Sequence, residues 1–373
     1  MKLGSTVNQF GDDRPALVHW IPTSALGGLE VALLTFLREA PELEHTIVTG
    51  EASGPMADLW RASGAKIIET PEWWEFLGIS WASRWSGFVN SRPLSRLIIW
   101  SPTRLNLILR PLSPEIRCVV HLGSVGAFGF KARLFERMSA LFNQSGCRPL
   151  LIACSVAAKK TAADEPILAD YDCVVGYNAA RPEYFALGSA RQQQGRQRRM
   201  WGMVARMDEG KGQSLLLKAW ALLPREFGLR LCLVGGGPRE ALLRQEAHEL
   251  GLGGIVEFAG AVPDPSVIMR DWDAFVFATE AGEGFGIAVA EAMAAGLPCV
   301  VTDVPALREM AEDAAHYVRP HSAAVLAEAI MSVFKDSDLA ADLSRKAKSR
   351  AEAQFTPSAF SNAYKEALGL LRT

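Results

Sequence analysis

The chain has 373 residues, a formal net charge of −2 and 49% hydrophobic residues. The length favours two domains, and the charge balance argues against general nucleic-acid binding. The sequence has no run of about 18 uncharged apolar residues, so no membrane-spanning helix is expected. The polar, acid-containing start MKLGSTVNQFGDDRP is not typical of a signal peptide. The six cysteines form no C-x-x-C pair, which indicates buried thiols of a cytoplasmic protein and not a disulfide or zinc framework.

Short apolar runs alternate with amphipathic helical stretches along the whole chain. In the first half, strands are predicted at Leu17–Ile21, Thr46–Thr49, Lys66–Glu69, Leu97–Trp100, Cys118–Leu122, Leu150–Cys154 and Cys173–Val175. In the second half, they are predicted at Met200–Ala205, Leu229–Val234, Val256–Phe258, Ala274–Ala278, Cys299–Thr302 and His316–Val318. This alternation predicts an α/β fold of two doubly wound Rossmann-like domains in tandem, each with a parallel sheet covered on both faces.

The alternation breaks between the two halves at Arg181-Pro182, Gly188 and a polar, glutamine- and arginine-rich stretch. We interpret residues 178–197 as a linker between a first domain at 1–177 and a second domain at 198–356. A final helix is predicted after the break at Thr356-Pro357.

Two features of the first domain could meet a ligand. A predicted strand runs into Gly27-Gly28 and then a helix, where the backbone can approach an anion closely. The alternative is an ordinary βα turn whose glycines supply a positive φ. His121 ends a buried strand beside a glycine-rich loop, although a lone histidine is often structural.

The stretch Trp73–Arg117 interleaves tryptophans with arginines. The tryptophans are Trp73, Trp74, Trp81, Trp85 and Trp100, and the arginines are Arg84, Arg92, Arg96, Arg104, Arg110 and Arg117. A basic, tryptophan-rich surface suits a membrane interface or an anionic amphipathic substrate. The alternative is that these tryptophans pack in the core and under loops.

The second domain opens with a strand followed by a turn that Arg206 and Lys211 bracket. Two cations beside a helix N-terminus could clamp a diphosphate, and a solvated charged loop is the alternative. Further along, Ala274–Val301 reads as strand, glycine-rich turn, helix and strand, with carboxylates at Glu283 and Glu291. Open α/β sheets bind ligands at the carboxyl ends of strands, and the helix start after the turn favours phosphate.

Two other motifs are not expected to bind a dinucleotide or a metal ion. Leu231–Pro238 lacks the third glycine of the dinucleotide fingerprint G-x-G-x-x-G. Asp271-Trp272-Asp273 has the D-x-D pattern of metal sites, but it precedes a strand at its amino end, so we interpret it as a solvated strand entry. No metal site and no cofactor are therefore predicted.

Taken together, the motifs resemble the retaining, nucleotide-sugar-dependent glycosyltransferases of family four (group one), which have the two-domain GT-B fold with an interdomain cleft. The resemblance rests on Glu283-Gly284-Phe285-Gly286 and Glu291 as an E-x7-E block, with Arg206, Lys211, Gly235-Gly236-Gly237-Pro238, Gly27-Gly28 and His121 in support. It covers nearly the whole chain and is most specific from Arg206 to Glu309.

The resemblance implies a role for each second-domain residue. Arg206 and Lys211 would bind the donor diphosphate, and Glu283 would contact the donor sugar near the reacting centre. The remaining donor contacts would come from Gly284, Phe285, Gly286 and Ile287 through backbone amides, from Glu291 to the ribose hydroxyls, and from the backbone around Ala261-Val262 to the base.

The first domain would contribute the Gly27-Gly28 amides to the phosphate and His121 near the transferred sugar. The catalytic set would be Glu283, His121, Arg206 and Lys211, and the final helix, residues 357–373, would return to the first domain.

The implied function is a metal-independent retaining glycosyltransferase, located in the cytoplasm or at the inner face of the plasma membrane. It would move a sugar from a nucleotide sugar, more commonly UDP-linked, to a glycan or lipid-linked acceptor in surface polysaccharide or glycolipid synthesis. The alternatives are a non-catalytic nucleotide-sugar-binding subunit of a glycan assembly complex and a nucleotide-sugar epimerase.

Overall fold

The computed structural model describes residues 14–70, 85, 87–88, 95–103, 105–123, 146–191, 199–280, 282–319 and 321–371. These residues form two parallel β-sheets, each with helices packed on it, which confirms the predicted α/β fold of two Rossmann-like domains. None of the helices in the described ranges is long and apolar enough to cross a membrane.

The first domain contains seven described strands. They are β1 (Ala16–Ile21), β2 (Glu44–Thr49), β3 (Lys66–Glu69), β4 (Arg96–Ile99), β5 (Arg117–Leu122), β6 (Leu150–Ala153) and β7 (Cys173–Val175). Its described helices are α1 (Gly28–Glu39), α2 (Pro55–Ala62), α3 (Leu105–Leu109) and α4 (Val156–Asp164), and α5 (Pro182–Arg191) follows them.

The second domain contains six described strands. They are β8 (Met200–Val204), β9 (Arg230–Val234), β10 (Val256–Gly260), β11 (Ala274–Phe277), β12 (Cys299–Thr302) and β13 (His316–Val318). Its helices are α6 (Gln213–Ala221), α7 (Glu240–Glu249), α8 (Ser266–Met269), α9 (Ile287–Ala294), α10 (Pro305–Ala311), α11 (Ala323–Lys335) and α12 (Ser337–Gln354), and α13 (Pro357–Ala367) comes last.

Both sheets reverse their strand order at one point. The first has the order β3-β2-β1-β4-β5-β6-β7 and the second β10-β9-β8-β11-β12-β13, with parallel pairing throughout. The reversal lies between β1 and β4 in one sheet and between β8 and β11 in the other. In doubly wound sheets such a switch point opens a crevice beyond the carboxyl ends of the strands, and ligands bind there.

Two segments join the domains. Helix α5 lies inside the predicted linker and packs against α9 of the second domain, whereas α13 packs against α1 of the first. The Tyr177 ring meets Phe285 and Phe355 at centroid distances of 6.0 and 5.9 Å, so aromatic packing continues from one domain into the other. The predicted domain limits at 177 and 198 stay predictions.

The tryptophan-rich stretch is only partly described. Trp73, Trp74 and Trp81 lie outside the described residues. Trp85 and Trp100 are buried, and the Trp85 indole N–H donates to the Ile108 carbonyl at 2.8 Å. These two tryptophans therefore belong to the core, and a membrane contact through Trp73–Arg117 stays a prediction.

Candidate active site

The turn after β8 places Lys211 between two glycines in the left-handed region. Gly210 and Gly212 both have a φ of +78°. The Gly210 carbonyl accepts from the Glu280 amide at 2.8 Å and from the Thr279 hydroxyl at 3.2 Å, so the loop after β11 is bonded to this turn. The two loops that carry the predicted donor-binding residues are thereby held side by side.

Replacing Gly212 with alanine is expected to lower the free energy of unfolding by about 3 kcal/mol, because a Cβ atom there would overlap the Ala278 carbonyl in addition to the left-handed strain. Gly210→Ala is the matched control. It has the same φ but open space around the Cβ, so it should cost only about 1–2 kcal/mol. Urea unfolding of both variants measures the difference, and equal losses would contradict the close approach.

Lys211 and Glu283 form an ion pair at the centre of the candidate site. Their Nζ and Oε2 atoms are 3.0 Å apart, with side-chain exposures of 31% and 14%. Lys211 follows β8 and Glu283 follows β11, so the pair lies at the switch point of the second sheet. Arg206 is exposed nearby and pairs with Asp208 at 2.8 Å. The structure thus brings Lys211 and Glu283 together from neighbouring loops, and Arg206 belongs to the same turn as Lys211.

The turn after Glu283 is anchored by its aromatic residue. Phe285 is 1% exposed and packs edge-on against Phe355 at a centroid distance of 5.2 Å. Gly286 has a φ of +91° and is the N-cap of α9, whose first residue is Ile287. The buried Phe285 side chain therefore anchors the turn to the core. Only the backbone of Phe285 is left for the predicted donor contacts.

The first domain approaches this helix start through Gly28. A Cβ atom at Gly28 would lie 3.5 Å from the Ile287 Cδ1 atom, so the two predicted phosphate contacts face each other across the cleft. The alternative that these glycines supply a positive φ is wrong: Gly27 has a φ of −155°, and Gly28 is also outside the left-handed region.

Gly27 lies against the Glu30 side chain. A Cβ atom at Gly27 would lie 2.6 Å from Glu30 Oε2, while Glu30 Oε1 accepts from the Thr23 hydroxyl at 3.1 Å. Burial raises the pKa of Glu30, and the Thr23 hydrogen bond and the charge of Arg206 offset part of that rise. Glu30 of the first domain therefore lies within electrostatic range of Arg206 of the second.

A second contact joins the start of α4 to the glycine-rich turn. The Ser155 hydroxyl donates to the Gly284 carbonyl at 2.6 Å. The amides of Val156 and Ala157 donate to the Glu309 carboxylate at 2.7 and 3.1 Å. A carboxylate at a helix N-terminus is stabilised by the unpaired amides and the helix dipole. Sequence reasoning missed Ser155 and Glu309, because neither carries a local signal of its partner.

The second glutamate of the motif is buried and paired. Glu291 is 3% exposed, and its Oε1 accepts from Arg181 Nε at 2.6 Å. Burial raises the pKa of Glu291, and the Arg181 guanidinium offsets part of that rise. Sequence reasoning placed Arg181 in the linker. A carboxylate in so apolar a helix was the available signal, since a buried charge requires a partner. The predicted ribose contact stays a prediction.

His121 lies in the first-domain core, 1% exposed. Its Nδ1 is 2.5 Å from the Tyr364 hydroxyl of α13, and its ring is 5.4 Å from that of Trp100. Burial lowers the pKa of His121 to about 3, so the ring is neutral at physiological pH. Its Nε2 side faces Gly123, and its predicted place near the transferred sugar stays a prediction.

Two remaining predictions concern the loops around β10 and β11. Val262 is half-buried beside Pro263, whose carbonyl accepts from Arg181 Nη1 at 3.2 Å. The predicted base-binding role of this backbone is untested. Asp273 of the D-x-D pattern accepts from the Arg199 and Met200 amides at 3.1 and 2.9 Å, so it joins the starts of β8 and β11.

Comparison with known proteins adds family information for the second domain. Residues 189–350 match the family model of glycosyl transferases group 1. The phosphatidyl-myo-inositol mannosyltransferase of Mycobacterium leprae is 36% identical over 145 residues, which are 36% of this chain and 37% of that protein. The putative colanic acid biosynthesis glycosyltransferase WcaL of Escherichia coli is 30% identical over 164 residues, or 41% and 40% of the two chains. The matched region thus spans at most about two fifths of the length of each of these curated relatives.

Solved structures share the fold over nearly the whole chain. Anabaena Alr3699/HepE in complex with UDP and glucose has a TM-score of 0.76 at 20% identity, covering 95% of this chain and 99% of that one. WaaG, a glycosyltransferase involved in lipopolysaccharide biosynthesis, has a TM-score of 0.69 at 17% identity, covering 95% and 100%. The two-sheet GT-B architecture is therefore common to all three chains.

Proposed function

We propose that this chain, whose residues 189–350 match the family model of glycosyl transferases group 1, is a retaining glycosyltransferase that uses a nucleoside-diphosphate sugar. The observation that carries the proposal is the Lys211–Glu283 pair at the switch point of the second sheet, with Gly28 facing Ile287 across the cleft. This arrangement offers a cation, helix-start amides and a carboxylate to one ligand, which suits a diphosphate joined to a sugar.

Departure of the nucleoside diphosphate leaves negative charge on phosphate oxygens. We assign the stabilisation of that charge to Lys211 and Arg206, together with the amides at the start of α9. The bonds between the loops after β8 and β11 hold the turn that carries Lys211 in place before the reaction. In our proposal the protein therefore stabilises the leaving group without a metal ion.

The sugar carbon becomes oxocarbenium-like as the bond breaks, and a nearby carboxylate stabilises such a centre. We assign this role to Glu283, which orients the sugar and forms no covalent link to it. The acceptor would attack from the side the leaving group departs, with the phosphate accepting its proton. This route retains the configuration of the donor sugar.

The donor and acceptor classes are inferred from relatives. A structural neighbour is solved with UDP-glucose, which supports a uridine nucleotide. A phosphatidyl-myo-inositol mannosyltransferase and a colanic acid glycosyltransferase among the relatives support a lipid-linked or glycan acceptor. A cytoplasmic location and a peripheral membrane contact through Trp73–Arg117 complete the proposal, and the contact is measured by co-sedimentation with anionic vesicles.

A radiolabelled nucleotide-sugar panel tests the function. We expect one donor to release its nucleotide, and Glu283→Ala to lower that release at least about 100-fold. Glu257→Ala, at an exposed carboxylate of β10, is the matched control and should retain wild-type activity. NMR of the product should show the anomeric configuration of the donor.

The panel also separates the alternatives. Nucleotide binding without transfer or hydrolysis of any donor would favour a non-catalytic subunit. Interconversion of donor sugars without an acceptor would favour an epimerase. Turnover that is the same in wild type and Glu283→Ala would refute the role assigned to Glu283.

A further inference from the structure

The guanidinium of Arg181 is held on three sides. Its Nε donates to Glu291 at 2.6 Å, its Nη1 to the Pro263 carbonyl at 3.2 Å and its Nη2 to the Tyr184 hydroxyl at 2.8 Å. The side chains of Arg181 and Glu291 are only 5% and 4% exposed. A planar fork bonded along all its edges cannot rotate without losing several bonds, so it fixes the carboxylate beside it.

Glu291 depends on this partner for its charge. Helix α9 reads Ile-Ala-Val-Ala-Glu-Ala-Met-Ala, and Glu291 is its only ionisable residue. A carboxylate buried alone in such surroundings would take up a proton. An ionised carboxylate accepts several hydrogen bonds, whereas a protonated acid must also donate one. Arg181 therefore favours the ionised Glu291 carboxylate, which can accept hydrogen bonds from the two ribose hydroxyls that the resemblance assigns to it.

The contact between Arg181 Nη1 and the Pro263 carbonyl extends this effect to the neighbouring loop. Pro263 directly follows Val262, whose backbone is predicted to receive the nucleotide base. Arg181 thus joins the carboxylate predicted for the ribose to the loop predicted for the base. Both would shift relative to each other if the guanidinium were removed.

We propose that Arg181 is a positioning residue that orients Glu291 and thereby makes the site select nucleotides with a ribose diol. The inference rests on the proposed function, because it concerns the same donor site. Arg181 itself acts through Glu291 and the Pro263 loop and needs no contact with the donor.

Titration calorimetry with UDP and 2′,3′-dideoxy-UDP tests the proposal, or the guanosine pair if the wild type binds GDP more tightly. We expect the wild type to prefer the ribonucleotide by about tenfold or more, since bonds to a charged acceptor are strong. Arg181→Met should reduce this preference to less than about threefold, and Arg181→Lys, which keeps the charge without the fork, should give an intermediate value.

Two further variants show how Arg181 acts. Arg244→Met removes an exposed arginine that pairs with Glu240 at 2.8 Å, and it should leave the preference unchanged. In an Glu291→Gln background, Arg181→Met should cause no additional loss of preference. Thermal unfolding shows whether each variant is folded. If Arg181→Met is not folded, the nucleotide preferences of Arg181→Lys and Glu291→Gln test the proposal.

Each other outcome overturns the inference in a distinct way. If Arg181→Met weakens both nucleotides equally and keeps the preference, Arg181 only supports packing. If the wild type binds UDP and 2′,3′-dideoxy-UDP with equal affinity, the site does not recognise the ribose hydroxyls, and the inference fails while the proposed nucleotide binding is retained. If the wild type binds no nucleoside diphosphate, the proposed function fails and the inference fails with it.

Discussion

Replacing Lys211 with methionine is expected to lower kcat by about 100- to 1000-fold, the usual effect of removing one group that stabilises transition-state charge. The lost ammonium would also leave Glu283 without its partner at 3.0 Å. UDP affinity should fall by about tenfold, because a charge-assisted contact to phosphate is lost. Steady-state kinetics with the donor found in the panel, together with UDP titration, measures the two effects.

The matched control for this variant is Lys218→Met. Lys218 belongs to α6 of the same domain, is 58% exposed and lies 3.5 Å from Glu246. It should retain wild-type kcat and UDP affinity. A kcat for Lys211→Met within threefold of wild type would exclude Lys211 from charge stabilisation, even if UDP binding weakened.

The second large effect concerns acid stability. His19 and His45 are buried in a chain of hydrogen bonds, in which the Trp100 indole N–H donates to His19 Nδ1 at 3.2 Å. The indole can only donate, so the His19 proton is on Nε2, which bonds to His45 Nδ1 at 2.9 Å. His45 Nε2 then donates to the Ala40 carbonyl at 2.7 Å. Each ring nitrogen has a partner only while both rings are neutral.

Burial lowers the pKa of His19, His45 and His121 in the folded chain. Below about pH 6.5 the unfolded chain binds protons that the folded chain does not, so stability falls as the pH falls. Each strongly shifted histidine contributes about 1.4 kcal/mol per pH unit. Between pH 6.5 and 5, His121 alone should cost on the order of 2 kcal/mol, and His19 should add a further loss in the same direction, both measured by urea unfolding at a series of pH values.

His19→Asn isolates the histidine contribution from that of the buried carboxyl groups. The variant should be less stable at pH 7.5, but its stability should fall less steeply between pH 6.5 and 5. His248→Asn, at an exposed position on α7, should leave the slope of the wild type unchanged. A wild-type free energy of unfolding that is constant between pH 7.5 and 5 would contradict the prediction.

The strands were predictable because their residues are apolar in short runs. Cys299–Thr302 and His316–Val318 have the bounds that the sequence predicts, and the edge strand Cys173–Val175 does as well. Parallel strands covered on both faces are apolar along their whole length, so these runs are distinct from the amphipathic helices between them. The two-domain α/β architecture follows from that alternation.

Helix α5 shows what a local pattern misses. The sequence interpretation treats Gly188 as a break, but this glycine lies within the helix, where a Cβ atom would overlap the Ala294 carbonyl of α9. The glycine is needed for a close approach between two helices, which is a tertiary cause. The same holds for Arg181, whose partner Glu291 lies 110 residues away.

The contact between α4 and the second domain has a consequence for exchanging domains between related chains. The Gly284 carbonyl belongs to the donor-site turn, yet it is held by Ser155 of the first domain at 2.6 Å. A hybrid that takes its acceptor half from another chain would need a hydroxyl at this position and free helix-start amides for Glu309. Without these groups, the hybrid would keep every donor-site residue but would lose the contacts that hold the Gly284 carbonyl and the Glu309 carboxylate. The compatibility of the two halves is thus encoded at the start of α4, outside the linker predicted at residues 178–197.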